Sequence, residues 1–209
     1  PEDQPRAREA LVSPGSTPVI LRIAARERRP LEIEWAHRRL PGEAGLATRE
    51  YLVHGGAVTV VPILDDGRLV MERQYRYALQ RVLLEFPAGK IDPGESMQVC
   101  AQRELLEETG YRAAEWARAC PLHNACAYSS EMIEIWFARG LVAGPRQLDH
   151  GEHLDIVLMS EAELDDLCRR GVVTDAKTLI GLQWLQKWRS GAWELQWRPE
   201  VGAVAADNP

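Results

Sequence analysis

Glu104, Glu107 and Glu108 are spaced to share one face of a helix. At about 100° per residue they fall within about 100° of arc. Like charges at such spacing repel by about 0.2–0.5 kcal/mol per pair when exposed. The three also stand towards the C-terminal end of that helix, where the macrodipole disfavours negative charge. Helix stability does not select this arrangement, but a hard divalent cation would. Clustered carboxylate oxygens with no His or Cys among them suit Mg²⁺, with Mn²⁺ as the alternative, rather than Zn²⁺. Such an ion keeps several waters and shares substrate phosphate oxygens, which points to phosphate chemistry. Glu95 lies just before the helix and extends the cluster. Arg103 is the one cation in the patch, placed to pair with a helix glutamate and hold it. For the three glutamates taken alone, a solvated acidic helix face is the competing reading.

These residues need a turn and a helix to carry them. Pro93-Gly94 shapes the entering turn, and Gly89 allows close backbone approach. The spacing predicts a helix from about Met97 to Thr109, stopped at Gly110. A second helix is predicted from Ser160, which forms a capping box with Glu163, to near Gly171. A third, around Asp175 to Trp188, carries Ala176, Ile180, Trp184 and Trp188 on one stripe. Ala57 to Leu64 is an apolar, largely β-branched run, expected to be a strand buried on both faces. Pro62 argues there for an edge or a bulge, because it has no N–H for the ladder. Asp65-Asp66-Gly67 reads as a hairpin turn, with Leu69, Met71 and Arg73 continuing as the partner strand. Val19 to Ala25, Leu31 to Ala36 and Glu50 to Val53 read as period-two strands. They form either a small antiparallel sheet before the main domain or an extension of the main sheet. Strands intermixed with helices predict an α/β sandwich with a mixed sheet.

The whole chain sets limits on function. Its 209 residues can bury a core without disulfides. Twenty-five basic residues against 31 acidic ones give a net charge of −6, which argues against a nucleic-acid backbone binder. No apolar run approaches the ~20 residues that span a bilayer, so no membrane partner is expected. Four cysteines without a CxxC pair read as single buried thiols in a reducing cytoplasm. The expected organisation is a flexible leader over 1–17, an N-terminal sheet over 18–54, the main domain over 55–190 and a tail over 191–209. His37, His54, His123, His150 and His153 show no ligand spacing and read as structural or surface residues. Among the tryptophans, Trp184 and Trp188 read as helix core, and Trp35 is the candidate to stack on a base. No P-loop or dinucleotide-binding glycine motif is present.

The segment from Gly89 to Tyr111 fits G-x5-E-x7-R-E-U-x-E-E-x-G-U, where U is a bulky apolar residue, here Leu105 and Tyr111. This is the Nudix box, and the chain resembles the Nudix hydrolase superfamily, which cleaves nucleoside diphosphates linked to another group. The resemblance implies an α-β-α sandwich whose box is a metal-binding loop-helix-loop. A narrower likeness rests on Gln74-Tyr75-Arg76, on Leu84-Glu85-Phe86-Pro87-Ala88-Gly89-Lys90-Ile91-Asp92, and on Val173 to Leu182. These stretches are similar to the ADP-ribose pyrophosphatase branch, although nucleotide-sugar hydrolases share parts of them. The likeness implies Mg²⁺-dependent hydrolysis of ADP-ribose to AMP and ribose 5-phosphate. It also implies a homodimer, intertwined through the N-terminal sheet.

Carried over by position, Glu104 and Glu108 would be the principal metal ligands, Glu107 an additional one and Glu95 a weaker candidate. The main-chain oxygen of Ala88 would complete a shell. The acidic loop 149–155 would supply a further ligand or the general base, with Glu152 the best match, and Glu107 and Arg103 would be the other catalytic residues. Arg76 would hold a diphosphate oxygen, and Glu131 would lie near the terminal ribose. Two departures stand out. Cys126 and Ala127 replace a proline and glycine that mark ADP-ribose enzymes, and His150 replaces an acid. They keep GDP-mannose and NADH open as alternative substrates. A catalytically silent ADP-ribose sensor is the remaining rival, and the intact box argues against it.

Overall fold

The alternating residues of the N-terminal region pair into a sheet of their own. In the computed structural model, which describes residues 20–23, 31–39, 46–148 and 154–200, they form β1 (Ile20–Ile23), β2 (Leu31–Arg39) and β3 (Leu46–Val53). The three strands are antiparallel in that order, with Ile33 of β2 opposite Leu21 on one side and Leu52 on the other. Of the two readings, the separate small sheet is the one found. The described residues fall into two compact units, divided between Val53 and His54. The expected leader, residues 1–17, lies outside the described residues.

The second unit is built around β4 (Ala57–Pro62), every residue of which is buried. Val58 and Val60 point into one apolar cluster, and Val61 points into another. Full burial of one such side chain contributes about 1.5–3 kcal/mol. A strand with two buried faces needs apolar side chains on both, which is why this run lacks the usual alternation, and its one polar side chain, Thr59, donates to the Pro87 carbonyl. β4 runs parallel to β9 (Ile133–Ala143) and antiparallel to the short β7 (Ala88–Lys90). β8 (Tyr111–Leu122) and β11 (Arg198–Pro199) complete a five-stranded mixed sheet in the order β11-β8-β9-β4-β7. Pro62 does not sit on an edge strand. The amides of Ala57 and Ile63 both donate towards β9, so the nitrogen of Pro62 faces the other side, past the last rung with β7.

The turn at Asp65-Asp66-Gly67 forms as expected, with Gly67 at φ 85 and its N–H donating to Leu64. Its partner strand does not stay. After a single bridge between Ile63 and Leu69, β5 (Leu69–Arg76) leaves for a second sheet between β6 (Arg81–Glu85) and β10 (Leu154–Met159). The core dictates that departure, because Leu69 and Met71 pack against Phe86, Phe137, Leu164 and Leu185 rather than extending the β4 sheet.

Helix α1 (Met97–Glu104) covers one face of the five-stranded sheet through Cys100 and Ala101, with Leu105 following. α2 (Glu161–Arg169) and α3 (Ala176–Arg189) belong to the other cluster. The capping box of α2 is present, Ser160 accepting from the Glu163 N–H while Glu163 accepts from the Ser160 N–H. On α3 the deepest stripe is Thr178, Gly181, Leu182 and Leu185, beside the predicted one. Trp184 and Trp188 still pack partly buried against the core, as helix-core residues. The segment read as a tail beyond residue 190 is folded as far as 200, placing Leu195 in the core and β11 on β8. Residues 201–209 lie outside the described residues.

The predicted helix over Met97 to Thr109 is not uniform. α1 ends at Glu104, and Leu105–Thr109 form a π-helical turn closed by Gly110 at φ 77. The Thr109 hydroxyl donates to the carbonyl of Leu105 inside that turn. A widened turn of this kind is frequent at functional sites, and this one carries Glu107 and Glu108.

Candidate active site

The loop entering α1 is tied down before the helix begins. Ser96 caps α1 by accepting from the Val99 N–H, and Glu95 accepts from the Asp92 N–H at 3.1 Å. Arg103, two turns along, reaches back and grips Glu95 with two parallel bonds of 2.9 Å each. Its remaining Nη1 donates to Glu104 at 2.8 Å and to Glu107 at 2.9 Å. One guanidinium thus binds three carboxylates, a task that suits its fixed fork of five N–H donors. The bond from Arg103 holds the Glu95 carboxyl below the usual range, and the carboxylates in turn raise the guanidinium further. Arg103 also donates to the Lys90 carbonyl at 3.0 Å, linking the helix to the end of β7.

β7 is pressed against the other glutamates. Glu104 lies so close over Gly89 that a Cβ there would fall inside its carboxyl group, well under the 3.0 Å that real Cβ atoms keep. The Ala88 N–H donates to Glu108 at 2.9 Å. Ala88 therefore meets Glu108 through its amide. Glu104 and Glu108 are buried, and Glu107 is only half-buried. The expected face of three acids is thus split by the π turn into an inner pair and an outer member.

A second group of charges lies on β5, β6 and α3. Arg76 donates to both oxygens of Glu85, at 2.8 and 2.6 Å. Glu85 is fully buried and also accepts from Lys177, which pairs with Asp175 at 3.0 Å. Burial alone would raise the Glu85 carboxyl, but the bonds from Arg76 and Lys177 outweigh it and hold it low. Opposite Glu85 stands Glu72, its cross-strand partner. Burial first, and then the charge of Glu85, pushes Glu72 up to about 7.

Glu72, Glu85 and Lys177 were not among the residues read from the sequence as functional. Glu85 and Lys177 lie inside the stretches similar to the ADP-ribose pyrophosphatase branch, which is the signal that marks them, although the resemblance gives neither a role. Glu72 only closes the apolar run Leu69-Val70-Met71, and an acid followed by Arg73 and Gln74 reads as solvated.

Glu131 sits beside His54, 3.5 Å from its Nε2. His54 Nδ1 accepts from the Gly56 N–H, which puts the imidazole proton on Nε2, towards Glu131. Cys126 is exposed in a turn closed by the Tyr128 N–H on the Ala125 carbonyl, so the four cysteines are not all buried thiols. Cys100 is buried, and burial pushes its thiol up. Glu152, with His150 and the rest of the loop 149–153, lies outside the described residues. Trp35 is placed on β2 opposite Glu50.

The structure therefore brings Glu95, Arg103, Glu104 and Glu107 into one cluster and sets Glu108 against Ala88. The ligand atoms this cluster offers are carboxylate oxygens, the chemistry of a hard divalent cation. The cradle that Gly89 leaves for Glu104 fits that use. Among the described residues, no three His, Cys, Asp or Glu side chains converge on one point. A hydrated Mg²⁺ does not require three, since one or two carboxylates plus substrate oxygens and water complete its shell. Among the described residues, no helix is long and apolar enough to cross a membrane.

Comparison with known proteins agrees with this geometry. The family model for the NUDIX domain matches residues 53–180. An ADP-ribose pyrophosphatase of Bacillus subtilis (strain 168) is 34% identical over 140 residues, spanning 66% of this chain and 76% of that protein. An ADP-ribose pyrophosphatase of Mycobacterium tuberculosis is 39% identical over 147 residues, spanning 69% of this chain and 70% of that one. A solved structure described as an ADP compounds hydrolase superposes with a TM-score of 0.70 at 29% identity. It covers 84% of this chain and 96% of its own.

Proposed function

The chain belongs to the Nudix family, and on that premise we propose that it is a diphosphohydrolase that splits ADP-ribose into AMP and ribose 5-phosphate. The observation that carries the reading is the pairing of an intact box, its Glu104 and Glu108 buried against the β7 backbone, with Arg76 held by Glu85. Glu104 and Glu108 hold a divalent cation, Mg²⁺ or Mn²⁺, with Glu107 and Glu95 as further acids. When bound, the cation supplies charge neutralisation and Lewis acidity at the diphosphate. Arg103 holds Glu104 and Glu107 in place and neutralises part of their mutual repulsion. Arg76 uses Nε and Nη2 on Glu85, which leaves Nη1 to take a diphosphate oxygen in a charge-assisted bond. Glu131 reaches the terminal ribose, and Glu152 takes a proton from the attacking water. The enzyme acts as a cytoplasmic homodimer.

A second reading, supported by Cys126 and Ala127 at the marker positions, is a hydrolase of another nucleotide sugar or dinucleotide such as GDP-mannose or NADH. A substrate panel separates the two. ADP-ribose is expected to show the highest kcat/KM with Mg²⁺, releasing AMP, and Glu108→Gln is expected to abolish most of that turnover. A higher kcat/KM for GDP-mannose or NADH would replace the substrate assignment. Unchanged turnover in Glu108→Gln would overturn the role of the box. Tight ADP-ribose binding without any AMP released would favour the sensor.

A further inference from the structure

Glu72 has no place in the box, in its loop or in the set of residues assigned above to substrate. It lies on β5 directly opposite Glu85 and is fully buried. Among the described residues, neither of its carboxyl oxygens receives a hydrogen bond from an N–H or hydroxyl donor, and the one group it can share a proton with is the Glu108 carboxyl. More than nine in ten buried polar groups have such a partner, and an orphaned one costs about 1–3 kcal/mol, more if charged. The two nearby cations do not relieve it, because Arg76 and Lys177 both donate to Glu85. The carboxyl beside Glu72 is that of Glu108. A strand position that would pack well with an apolar side chain instead aims a carboxyl at a box glutamate.

We propose that Glu72 is a further ligand for the divalent cation, held jointly with Glu108 and supplied by β5 rather than by the box. The inference rests on the reading that Glu108 binds the cation. Two carboxylates with water and phosphate oxygens suffice for Mg²⁺. Glu72 and Arg76 are four residues apart on one strand and so face the same side of the sheet. One rigid element would then set both the cation and the guanidinium against the diphosphate. Glu85, with its two cations, fixes the spacing between them.

The test is a Mn²⁺ titration of the full chain, read by calorimetry and by the electron paramagnetic resonance of free Mn²⁺ at mildly alkaline pH. The proteins are the parent, Glu72→Gln, Glu72→Val and Glu108→Gln. Both Glu72 variants are expected to weaken Mn²⁺ binding about tenfold or more. Their metal-free melting temperatures are expected to be unchanged or higher, since an orphaned carboxyl is gone. Mn²⁺ binding equal to the parent's in both Glu72 variants, with Glu108→Gln impaired, overturns the role of Glu72 and leaves the box reading intact. Parent-like binding in Glu108→Gln, or no binding by the parent, overturns both. If Glu72→Val fails to fold, the near-isosteric Gln variant decides.

Discussion

The carboxyl group of Glu104 occupies the space that a Cβ on Gly89 would need. The Glu104 side chain therefore packs directly on the backbone of β7, and Gly89→Ala must displace one or the other. β7 is only three residues long and pairs Gly89 with Val58 of the central strand, so the glutamate is the part more free to move. A carboxylate displaced by about 1 Å costs an active site about 100-fold in rate. Gly89→Ala is expected to lower kcat/KM by about that factor with a small loss of thermal stability. Steady-state kinetics beside a melting curve check it, and wild-type kinetics would mean that the position of Glu104 does not govern turnover.

Arg103 binds Glu95, Glu104 and Glu107 at once. A lysine there keeps the charge but offers one ammonium in place of a planar fork, so it cannot bridge all three. Arg103→Lys is expected to cost about 1–3 kcal/mol of metal-free stability. It is also expected to speed amide exchange in the loop over residues 91–96, which the bidentate grip on Glu95 holds. Urea unfolding in chelator and hydrogen exchange report the two effects separately. Unchanged exchange in that loop would mean that Ser96 and the Asp92–Glu95 bond suffice to hold it.

Signals carried by adjacent residues were legible in the sequence, and those set by distant partners were not. Gly110 ends its helix at φ 77, and Ser160 with Glu163 forms the box that their spacing predicts. Both depend on the chain within a turn of themselves. The π turn at Leu105–Thr109 escaped because a constant 100° per residue presumes an α-helix. β5 was read as the partner of β4 because its turn is a hairpin turn, yet only the core beneath Leu69 and Met71 decides which sheet it joins. Glu72 follows from the same fact. Both faces of the first half of β5 are covered, so an even-numbered acid there is buried rather than solvated. Lys177 is drawn inside by Glu85 and Asp175, neither of which is its neighbour in a periodic pattern.

Lys177 shares one oxygen of Glu85 with Arg76. Removing one partner of a buried ion pair costs about 3–5 kcal/mol, and the cost here is at the lower end because Arg76 remains. Lys177→Met is expected to leave Glu85 to Arg76 alone and to pull the guanidinium off its position. KM for ADP-ribose should rise roughly tenfold, equivalent to about 1.4 kcal/mol, with kcat much less affected. A loss confined to kcat, with KM unchanged, would show that Lys177 does not act through Arg76.

Glu72 gives the metal-free protein a distinctive dependence on pH. Burial and then the charge of Glu85 raise its carboxyl from 4.5 to about 7. Between those values the native state keeps a proton that the unfolded chain has released, so the unfolding free energy falls as pH rises. The contribution is fully present below the unfolded value and is lost through the folded one, in total about 3 kcal/mol. Glu85 acts in the opposite sense: its lowered carboxyl stabilises above its unfolded value, and that contribution is lost only as pH falls towards strong acid. The two windows therefore do not overlap. Urea unfolding in chelator from about pH 5 to pH 8 should show parent stability declining relative to Glu72→Gln, which has no proton to lose. Parallel curves across that range would place the Glu72 carboxyl back near its ordinary value and remove the electrostatic case for its being buried in the acid form.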